Sequence, residues 1–553
     1  MNLSPEEKAV GKANFMTAVG SELTRREFIW GSVAAGAVSS AALGGFYFNY
    51  GAVKDPVRVG IIGTGDEGSV LINNINPDFL DVVAISDIRP FNRWRAFHGD
   101  PKNMDARMGL IRRYGYANED QARKHVKVYE NNYKELLDDP DVEMVIIAVP
   151  LHLHAQIAID AMQKGKHVLT EKLMAHNITQ CKDMARAAMS TNKLLAVGHQ
   201  RHYSILYDNA VNMIRRDLIG KVHHIRAQWH REKDTWSPPL PEELKLSLVK
   251  INKELESLDK VSPTRLEDLR VNQTLMEQQV KDATVEAEKY GYESIQFQGR
   301  TRSALEELIR WRLWDRTGGG LMAELGSHQL DASSIFISAS HPLDAKGKSQ
   351  KIRPLTVSAT GGIHLLDPKQ RECEDHVYCT YEFPAEEYHE DPNRKIVVTY
   401  SSINGNGFGG YGEVVLGDAG TLILEREQDV MLYKGAQTMT AAGVVADGKT
   451  KKPKLESYES SGGPPKAATQ LLGDGPVSRG YTEEMEHFAY VLRNNGTLDD
   501  LRCNPKVAMA DAIIALTTNI AIRQQRRIEF KPEWFEIEED ATPEKDLKGS
   551  TVA

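Results

Sequence analysis

The hexapeptide GTGDEG, Gly63 to Gly68, constrains the fold of this 553-residue chain more than any other feature. It follows VRVGII, an apolar β-branched run that begins at Val57, and precedes a segment that can continue as a helix to Ile75. The G-x-G-x-x-G spacing thus occurs in the strand–turn–helix context of a dinucleotide-binding loop. Gly63 allows a tight turn, Gly65 leaves room for a pyrophosphate, and Gly68 lets the helix approach the strand. The pattern predicts a dinucleotide whose pyrophosphate lies at the helix N-terminus.

A carboxylate occupies the position at which such proteins bind the adenosine ribose. The apolar run LDVVAISD ends in Asp87, about twenty residues beyond the glycine loop. A carboxylate there accepts hydrogen bonds from ribose hydroxyls and repels a 2′-phosphate, so we predict NAD. Arg89 and Arg93 follow closely in the sequence and keep NADP open as an alternative.

Strands and helices alternate over residues 55–200, which predicts a Rossmann-type, doubly wound parallel sheet. The run EMVIIAV is almost wholly apolar, as expected of a strand buried on both faces. Ligands of such sheets bind at the C-terminal ends of the strands, and Gly63, Asp87, Pro150 and Lys172 all fall at predicted strand ends. We therefore expect an active site along this edge.

The rest of the chain predicts a second domain, residues 201–540, of α+β type. Strand-like runs such as HVYCTYEF and KIVVTY follow one another without intervening helices, which indicates an open, mostly antiparallel sheet. Residues 232–301 are highly charged and largely helical in pattern, and we interpret them as an insertion. Residues 425–477 are polar and are predicted to form an extended loop. Cys373 and Cys379 are expected on one strand, too far apart for a disulfide.

The composition fits an enzyme that acts on small molecules. The net charge of −9 gives no reason to expect a nucleic-acid partner, and 41% hydrophobic residues is ordinary for a soluble protein. Four cysteines are too few for a disulfide scaffold in a chain of this size. Several histidines are present, but no tight ligand spacing such as H-E-x-x-H occurs, so no metal is predicted.

Residues 1–54 resemble an export signal. The sequence TRREFI, Thr24 to Ile29, is a twin-arginine pattern, and no charged residue occurs between Glu27 and Lys54. The apolar part is long enough to cross a bilayer and lacks a clean A-x-A cleavage site. The sequence is compatible both with a cleaved signal and with a retained N-terminal anchor. Either one predicts a periplasmic or cell-envelope location, with membrane contact only through this segment if it is uncleaved.

Taken together, the motifs resemble those of the Gfo/Idh/MocA oxidoreductases over most of residues 57–522. In chain order they are the glycine loop, Asp87, Pro150 with His154, the dipeptide Glu171-Lys172, Gly198 to Arg201, and the run GGGLMAELGSHQLD from Gly318 to Asp331. Members of that family pair a nucleotide domain with an open-sheet domain, and most oxidise or reduce sugars, inositols or related polyols with NAD or NADP. The resemblance also implies a homo-oligomer.

The resemblance assigns roles to individual residues. Lys172 corresponds to the catalytic lysine, which exchanges a proton with the substrate hydroxyl, and His328 corresponds to the histidine that contacts the same hydroxyl. Glu324 stands where the family usually has Asp, and as an i, i+4 neighbour it is expected to orient His328. The family's usual EKP reads EKL here. The full set of predicted cofactor-binding residues is Gly63, Gly65, Gly68, Asp87, Pro150, His154 and Glu171, and the predicted sugar-binding residues are Arg201, Tyr203 and Arg312.

Two enzyme classes and one binding function follow from this pattern. The first is an NAD(P)-dependent oxidoreductase that moves hydride to or from a hydroxyl carbon of a sugar, polyol or glycoside. Because no free nicotinamide pool is expected outside the cytoplasm, we expect a tightly bound cofactor. The alternative is a redox-neutral, NAD-dependent glycoside hydrolase or lyase that works through a transient keto-sugar. A non-catalytic, cofactor-retaining binding protein is the third hypothesis.

Overall fold

The computed structural model describes residues 3–21, 47–48, 50–256, 262–447, 450, 452–457 and 479–547. The twin-arginine pattern, residues 24–29, lies outside these ranges. The α-helices of the described residues are Pro5–Gly20 (α1), Asp66–Asn74 (α2), Pro90–His98 (α3), Gly109–Tyr114 (α4), Glu119–His125 (α5), Tyr133–Asp138 (α6), His154–Gln163 (α7), Ile178–Thr191 (α8), Ile205–Arg215 (α9), Pro241–Leu255 (α10), Pro263–Val280 (α11), Ala304–Ile309 (α12), Ser327–Ala339 (α13), Tyr481–Arg493 (α14), Pro505–Gln524 (α15) and Pro543–Asp546 (α16). A π-helix, Met322–Gly326, leads directly into α13.

Short 3₁₀-helices occur at many connections. They are Leu151–Leu153, Gln200–Tyr203, Lys281–Thr284, Ala287–Tyr290, Trp311–Leu313, Pro368–Gln370, Glu386–His389, Leu498–Asp500 and Pro532–Phe535. Several helices begin at a side-chain cap: Asn177, for example, accepts a hydrogen bond from the backbone N–H of Gln180 at the start of α8.

The first sheet is parallel throughout and has the strand order β3-β2-β1-β4-β5-β6. Its strands are Val57–Ile62 (β1), Leu80–Ser86 (β2), Lys127–Tyr129 (β3), Met144–Ile147 (β4), His167–Glu171 (β5) and Leu195–Gly198 (β6). Every residue of β4 is buried because helices cover both faces, which explains its unbroken apolar sequence. The predicted doubly wound parallel sheet is confirmed.

The second sheet has eight strands in the order β15-β14-β13-β7-β12-β11-β10-β18. Its strands are Val222–Arg231 (β7), Thr356–Gly362 (β10), His376–Pro384 (β11), Lys395–Asn404 (β12), Tyr411–Gly417 (β13), Gly420–Glu425 (β14), Asp429–Lys434 (β15) and Ile528–Glu529 (β18). Only β7 and β12 pair in parallel, so the predicted mostly antiparallel sheet is confirmed. Burial alternates along β11 and β12 because helices α13 and α15 cover one face.

Two further hairpins complete the described strands, Ile295–Phe297 (β8) with Arg300–Arg302 (β9) and Ala442–Ala446 (β16) with Pro453–Ser457 (β17). The prediction of one extended loop over residues 425–477 is therefore wrong for its described part, since β15, β16 and β17 lie there. The sequence DVMLYK of β15 forms a hairpin with β14 and buries four consecutive residues. Cys379 lies in β11 but Cys373 precedes it, which corrects the prediction of a shared strand; all four cysteines are free and buried.

Helix α1 corrects the prediction that residues 1–54 are only a signal or an anchor. Phe15, Ala18 and Val19 are buried, and the helix packs along β15 and β16. Asn14, which is 1% exposed, donates to the carbonyl oxygens of Leu432 (3.0 Å) and Thr440 (3.1 Å) and accepts from the N–H of Ala442 (2.8 Å). Helix α1 is thus built into the second domain.

The charged segment 232–301 folds around an antiparallel pair of helices. Ion pairing of Arg265 with Glu254 and a hydrogen bond from Gln273 to Asn252 join α10 and α11 along their exposed sides. The far end of α11 reaches the first domain and packs against α3. Among the described helices, α15 alone is long and apolar enough to cross a membrane, but 78% of its apolar window is buried inside the protein, so it serves as a core helix.

Candidate active site

The glycine loop has the geometry that its spacing predicts. Gly63 has φ +89°, and a Cβ there would lie 2.3 Å from the carbonyl oxygen of Ala148. A Cβ on Gly68 would lie 2.2 Å from the carbonyl oxygen of Gly63, so α2 contacts the loop as closely as backbone allows. At Gly65 the nearest atom to such a Cβ is Nδ2 of Asn92, 3.7 Å away, so this side of the loop is open. The loop therefore fits a pyrophosphate at the N-terminus of α2.

The carboxylate of Asp87 lies beside the loop, at the end of β2. It accepts hydrogen bonds from the N–H groups of Thr64 (2.8 Å) and Arg89 (2.8 Å) and from Nδ2 of Asn92 (3.1 Å). The hydroxyl of Thr64 adds a longer bond to Oδ2 (3.4 Å), so three donors reach Oδ2, whereas within the described part of the chain Oδ1 accepts only from Arg89 and has room for a further donor. Arg93 donates to the carbonyl oxygen of Asp87 and pairs with Glu130. The ribose end of the site is thus acidic.

A second acidic pair lies at the other end of the glycine loop. Burial and the nearby carboxylate of Glu67 raise the pKa of Glu171 to about 8, although Lys172 opposes the shift. Oε1 of Glu67 is buried and has no hydrogen-bond partner among the described residues. A buried acceptor without a donor is unfavourable, so this pair fits the hydroxyl and amide donors of a bound nucleotide.

Lys172 follows β5 and connects the two domains; the peptide bond to Leu173 is cis. Its Nζ donates to the carbonyl oxygen of Glu324 (2.9 Å), which lies in the π-helix. Burial opposes ionisation of Glu324, but the charges of Lys172 and Arg312 keep its pKa below the usual value. Lysine, carboxylate and arginine are therefore held together at the C-terminal edge of the parallel sheet.

Arg312 lies between Glu324 and the glycine loop. Its Nε donates to Oε2 of Glu324 (2.8 Å), and its guanidinium stacks 4.3 Å from the ring centroid of Trp311. Its charge also acts on Asp66, whose pKa is lowered against the effect of burial mainly by Arg95 and then by Arg312. The position suits a cation for the pyrophosphate or for a substrate oxygen at the domain boundary.

His328 stands at the start of α13, with its ring 5.3 Å from that of Trp229. Burial, together with the charges of Lys172 and Arg201, lowers its pKa well below the usual value, so the imidazole is neutral at neutral pH. A neutral imidazole offers one donor and one acceptor, which suits hydrogen bonding to a hydroxyl or a carbonyl. Lys172 and His328 are thus brought to one region of the structure, as the resemblance implies.

The structure corrects the predicted role of Glu324 as the residue that orients His328. The π-helix contains Glu324, and its wider turn disrupts the i, i+4 alignment of an α-helix. The carboxylate pairs with Arg312 instead. The segment carrying His328 is fixed by Arg201, whose NH1 donates to the carbonyl oxygen of His328 (2.5 Å).

Arg201 and Tyr203 are not placed as sugar ligands, which corrects a second prediction. Arg201 is 2% exposed and forms ion pairs with Glu413 (3.1 Å) and Glu427 (2.7 Å). Tyr203 is 1% exposed, and its hydroxyl accepts from the N–H of Cys503 (3.5 Å). Both residues are part of the protein interior, and Arg201 acts on the site by holding the backbone at His328.

Pro150 and His154, predicted to bind the cofactor, shape the loops around it. Pro150 precedes the 3₁₀-turn after β4. The ring of His154 is 2% exposed and lies 2.9 Å from the carbonyl oxygens of both Val149 and Leu173. His154 thus ties the loop after β4 to the loop that carries Lys172 and positions both.

Sequence reasoning missed an aromatic and cationic wall beside His328. The ring of Trp229 stacks on Tyr411 at 4.4 Å, and Arg231 lies 5.7 Å from the Trp229 centroid. The charge of Glu324 acts on Arg231 as well. Alternate residues of one strand share a face, so the pattern W-H-R at the end of β7 could have indicated that Trp229 and Arg231 face the same side. Aromatic faces and arginine donors suit a sugar.

One further polar cluster has metal-ligand residue types. His199, Asp331 and Asp511 are all buried, and their ligand atoms lie within 4.8 Å of one another. Nζ of Lys351 lies 3.5 Å from Asp331 and contacts Asp511, while His202 pairs with Asp331 at 2.8 Å. Because Lys351 already supplies a positive charge to both carboxylates, we interpret the cluster as an ion network that joins α13 to α15.

The fold and the glycine loop together define a two-domain protein with a Rossmann-type dinucleotide-binding site. Residues 57–199 match the model of the oxidoreductase family with an NAD-binding Rossmann fold. Residues 57–199 are therefore similar to the NAD-binding Rossmann domain of the Gfo/Idh/MocA oxidoreductases.

Curated relatives match a part of the chain. A glycosyl hydrolase family 109 protein of Shewanella pealeana is 29% identical over 179 residues, which is 32% of this chain and 36% of the relative. An alpha-N-acetylgalactosaminidase of Shewanella oneidensis is 29% identical over 180 residues, 32% of this chain and 35% of the relative. The chain thus spans about a third of the length of the curated relatives it matches.

Solved structures show the same fold across both domains. A levoglucosan dehydrogenase in complex with NADH superimposes with a TM-score of 0.51 at 16% identity, over 86% of this chain and 100% of that one. An oxidoreductase domain protein from Kribbella flavida gives 0.53 at 15% identity, over 86% and 99%. At this level of identity the likeness concerns the fold.

Proposed function

We propose that the protein is an NAD-dependent oxidoreductase that transfers hydride to or from a hydroxyl-bearing carbon of a sugar, polyol or glycoside. The observation that carries the proposal is the convergence of Lys172, Glu324, Arg312 and His328, with Arg312 near Asp66 and Glu67 of the glycine loop. The levoglucosan dehydrogenase of the same fold supports a sugar-type substrate.

The residues divide the chemistry between them. When bound, NAD supplies the hydride acceptor or donor. Lys172 exchanges the hydroxyl proton, and the carbonyl oxygen and carboxylate of Glu324 hold its ammonium in place. The neutral ring of His328 hydrogen-bonds the same substrate oxygen. Trp229 and Arg231 form the wall against which the rest of the substrate lies.

Replacing the proposed acid/base tests this function. We expect Lys172→Ala to lower turnover by about 10²–10⁴-fold, the usual contribution of a general acid/base, while nucleotide binding changes little. Lys164→Ala is the matched control, since Lys164 is an exposed lysine of the same domain that pairs with Asp138. Full turnover by Lys172→Ala would refute the assignment of Lys172 as the acid/base.

A redox-neutral glycoside hydrolase or lyase is the second candidate, because the curated relatives include an alpha-N-acetylgalactosaminidase and glycosyl hydrolase family 109 proteins. Such an enzyme oxidises one sugar hydroxyl, eliminates the aglycone and returns the hydride, so the same residues act in changed roles. Net redox change separates the two: a dehydrogenase accumulates NADH or needs an acceptor, whereas the hydrolase releases a sugar and ends with oxidised NAD.

We also propose that the protein reaches the cell envelope by the twin-arginine route with α1 still attached. The pattern TRREFI supports the route. Helix α1 and Tyr50 contact the same folded body, the latter through a hydrogen bond to Glu486. Because α1 and Tyr50 both contact this body, they lie on the same side of any membrane. Mass spectrometry of the envelope fraction should recover peptides from residues 3–21; a chain that begins after residue 46 would contradict this.

A further inference from the structure

One carboxylate of the charged segment 232–301, that of Asp282, lies at the adenosine end of the nucleotide site. Asp282 follows α11 in a 3₁₀-turn, and its side chain is 1% exposed. Its Oδ2 accepts from Nε of Arg89 at 2.8 Å and lies 2.8 Å from NH2 of the same guanidinium. Its Oδ1 accepts from the N–H of Phe91 (3.0 Å), in the first turn of α3. Both carboxylate oxygens are therefore engaged by the first domain.

Arg89 is the cation that decides how this site treats a 2′-phosphate. It comes two residues after Asp87, where an arginine can bind the 2′-phosphate of NADP. In this structure the fork of its guanidinium is directed at Asp282. Burial opposes its ionisation, but Asp282 and Asp87 raise the pKa of Arg89 above its usual value. The cation is thus neutralised by a carboxylate from another part of the chain.

The contact is anchored by packing on either side of Arg89. Ile88, between Asp87 and Arg89, packs into the small apolar cluster of Ala287, Tyr292, Ala304 and Leu308. Tyr292 is 2% exposed and stacks edge-on against His152 at 5.6 Å. Asp282 is therefore held at the nucleotide site by a buried part of the fold and not by a mobile side chain alone.

We propose that Asp282 is a specificity-determining residue that makes this site prefer NAD to NADP. It holds Arg89 in an ion pair and adds a second negative charge, beside Asp87, where a 2′-phosphate would lie. A 2′-phosphate has to break this buried pair or face two carboxylates, whereas the ribose hydroxyls of NAD require neither. The proposal concerns the NAD-binding domain and does not depend on the substrate.

An equilibrium competition on the full-length protein tests it without any turnover. The protein is incubated with equimolar NAD and NADP, each in large excess, until the nucleotide it carries has exchanged; it is then separated from free nucleotide and denatured, and the ratio of the two released nucleotides is measured. Asp282→Asn keeps the acceptor for Phe91 but removes the charge from Arg89. We expect the NADP:NAD ratio to rise at least about tenfold, the scale of one hydrogen bond to a charged group. Adding Arg89→Ala should abolish the gain.

Two controls make the outcome decisive. Glu286→Gln removes an exposed carboxylate of the same segment, paired with Lys289, and should leave the ratio within about threefold. Arg89→Ala alone should not raise the ratio, because it leaves the charge of Asp282 in place and removes the cation that a 2′-phosphate would need; this variant tests the proposal even if Asp282→Asn folds poorly. An unchanged ratio in Asp282→Asn, or a raised ratio in Arg89→Ala alone, would overturn the proposal.

Discussion

Replacing Asn14 by alanine tests whether α1 is part of the folded protein. Its amide makes three hydrogen bonds to the backbone of β15 and of the segment entering β16, at 2.8–3.1 Å, from a position that is 1% exposed. At about 1 kcal/mol net for each bond, Asn14→Ala should weaken docking of the helix by about 3 kcal/mol. The loss is local, because α1 can separate from the sheet while the two sheets stay folded.

Hydrogen exchange of peptides from residues 3–21 reads this loss directly. A change of about 3 kcal/mol corresponds to exchange about 100-fold faster in α1, with the core strands unchanged. Lys12→Ala is the matched control, because Lys12 forms an exposed ion pair with Asp429 on the same helix and should change docking by less than about 1 kcal/mol. Equal exchange in the two variants would refute the docking of α1.

Replacing Gly11 by alanine sets the helix propensity of α1 against its packing on the sheet. Alanine stabilises an isolated helix by about 1 kcal/mol relative to glycine. In the docked helix, however, a Cβ on Gly11 would lie 2.4 Å from the ring of Tyr433. We therefore expect Gly11→Ala to accelerate exchange in α1. Slower exchange would mean that helix propensity alone governs this segment.

Three further predictions concern the site and its surroundings. Gly65→Ala should fold normally but bind NAD at least about tenfold more weakly, because its Cβ enters the pyrophosphate space. Gly68→Ala should instead lower the thermal unfolding midpoint, because its Cβ would lie 2.2 Å from a backbone oxygen. Arg201→Met leaves the buried Glu413 without a cation, while Glu427 keeps Arg479, and should cost about 3–5 kcal/mol in chemical unfolding, more than any exposed arginine variant. Burial raises the pKa of Glu486 to about 7. The free energy of unfolding that this residue contributes should therefore fall as pH rises from about 4.5 to 7, and Glu486→Gln should gain up to about 3 kcal/mol relative to wild type over that range. Parallel curves of unfolding free energy against pH for the two proteins would contradict this.

The parts of the fold that the sequence predicts are those with local signals. The glycine loop, Asp87 and the apolar strands around them need only neighbouring residues to be recognised, and all take their expected places. The antiparallel sheet follows from alternation along β11 and β12, a pattern of period two. Lys172 and His328 are identified by motifs that stand at fixed points of these elements.

The errors concern residues whose partners are remote in sequence. Arg201 has the chemistry of a sugar ligand, but its carboxylate partners, Glu413 and Glu427, are more than 200 residues away. Asn14 contacts strands more than 400 residues away, so the docking of α1 had no local signal. The partnership of Glu324 was misassigned because a π-helix replaces the regular α-helical turn on which the i, i+4 argument depends.

A single experiment tests the central claim that Lys172 and its neighbours direct hydride transfer at a bound nicotinamide. Purified wild-type protein and Lys172→Ala are challenged with a panel of free sugars and aryl glycosides while reduced nicotinamide and released aglycone are followed together; nucleotide from denatured samples is identified in parallel. We expect NAD in both proteins, and nicotinamide reduction or aglycone release in the wild type alone. NAD binding by the wild type without either signal on any compound, or equal signals in Lys172→Ala, would contradict the account.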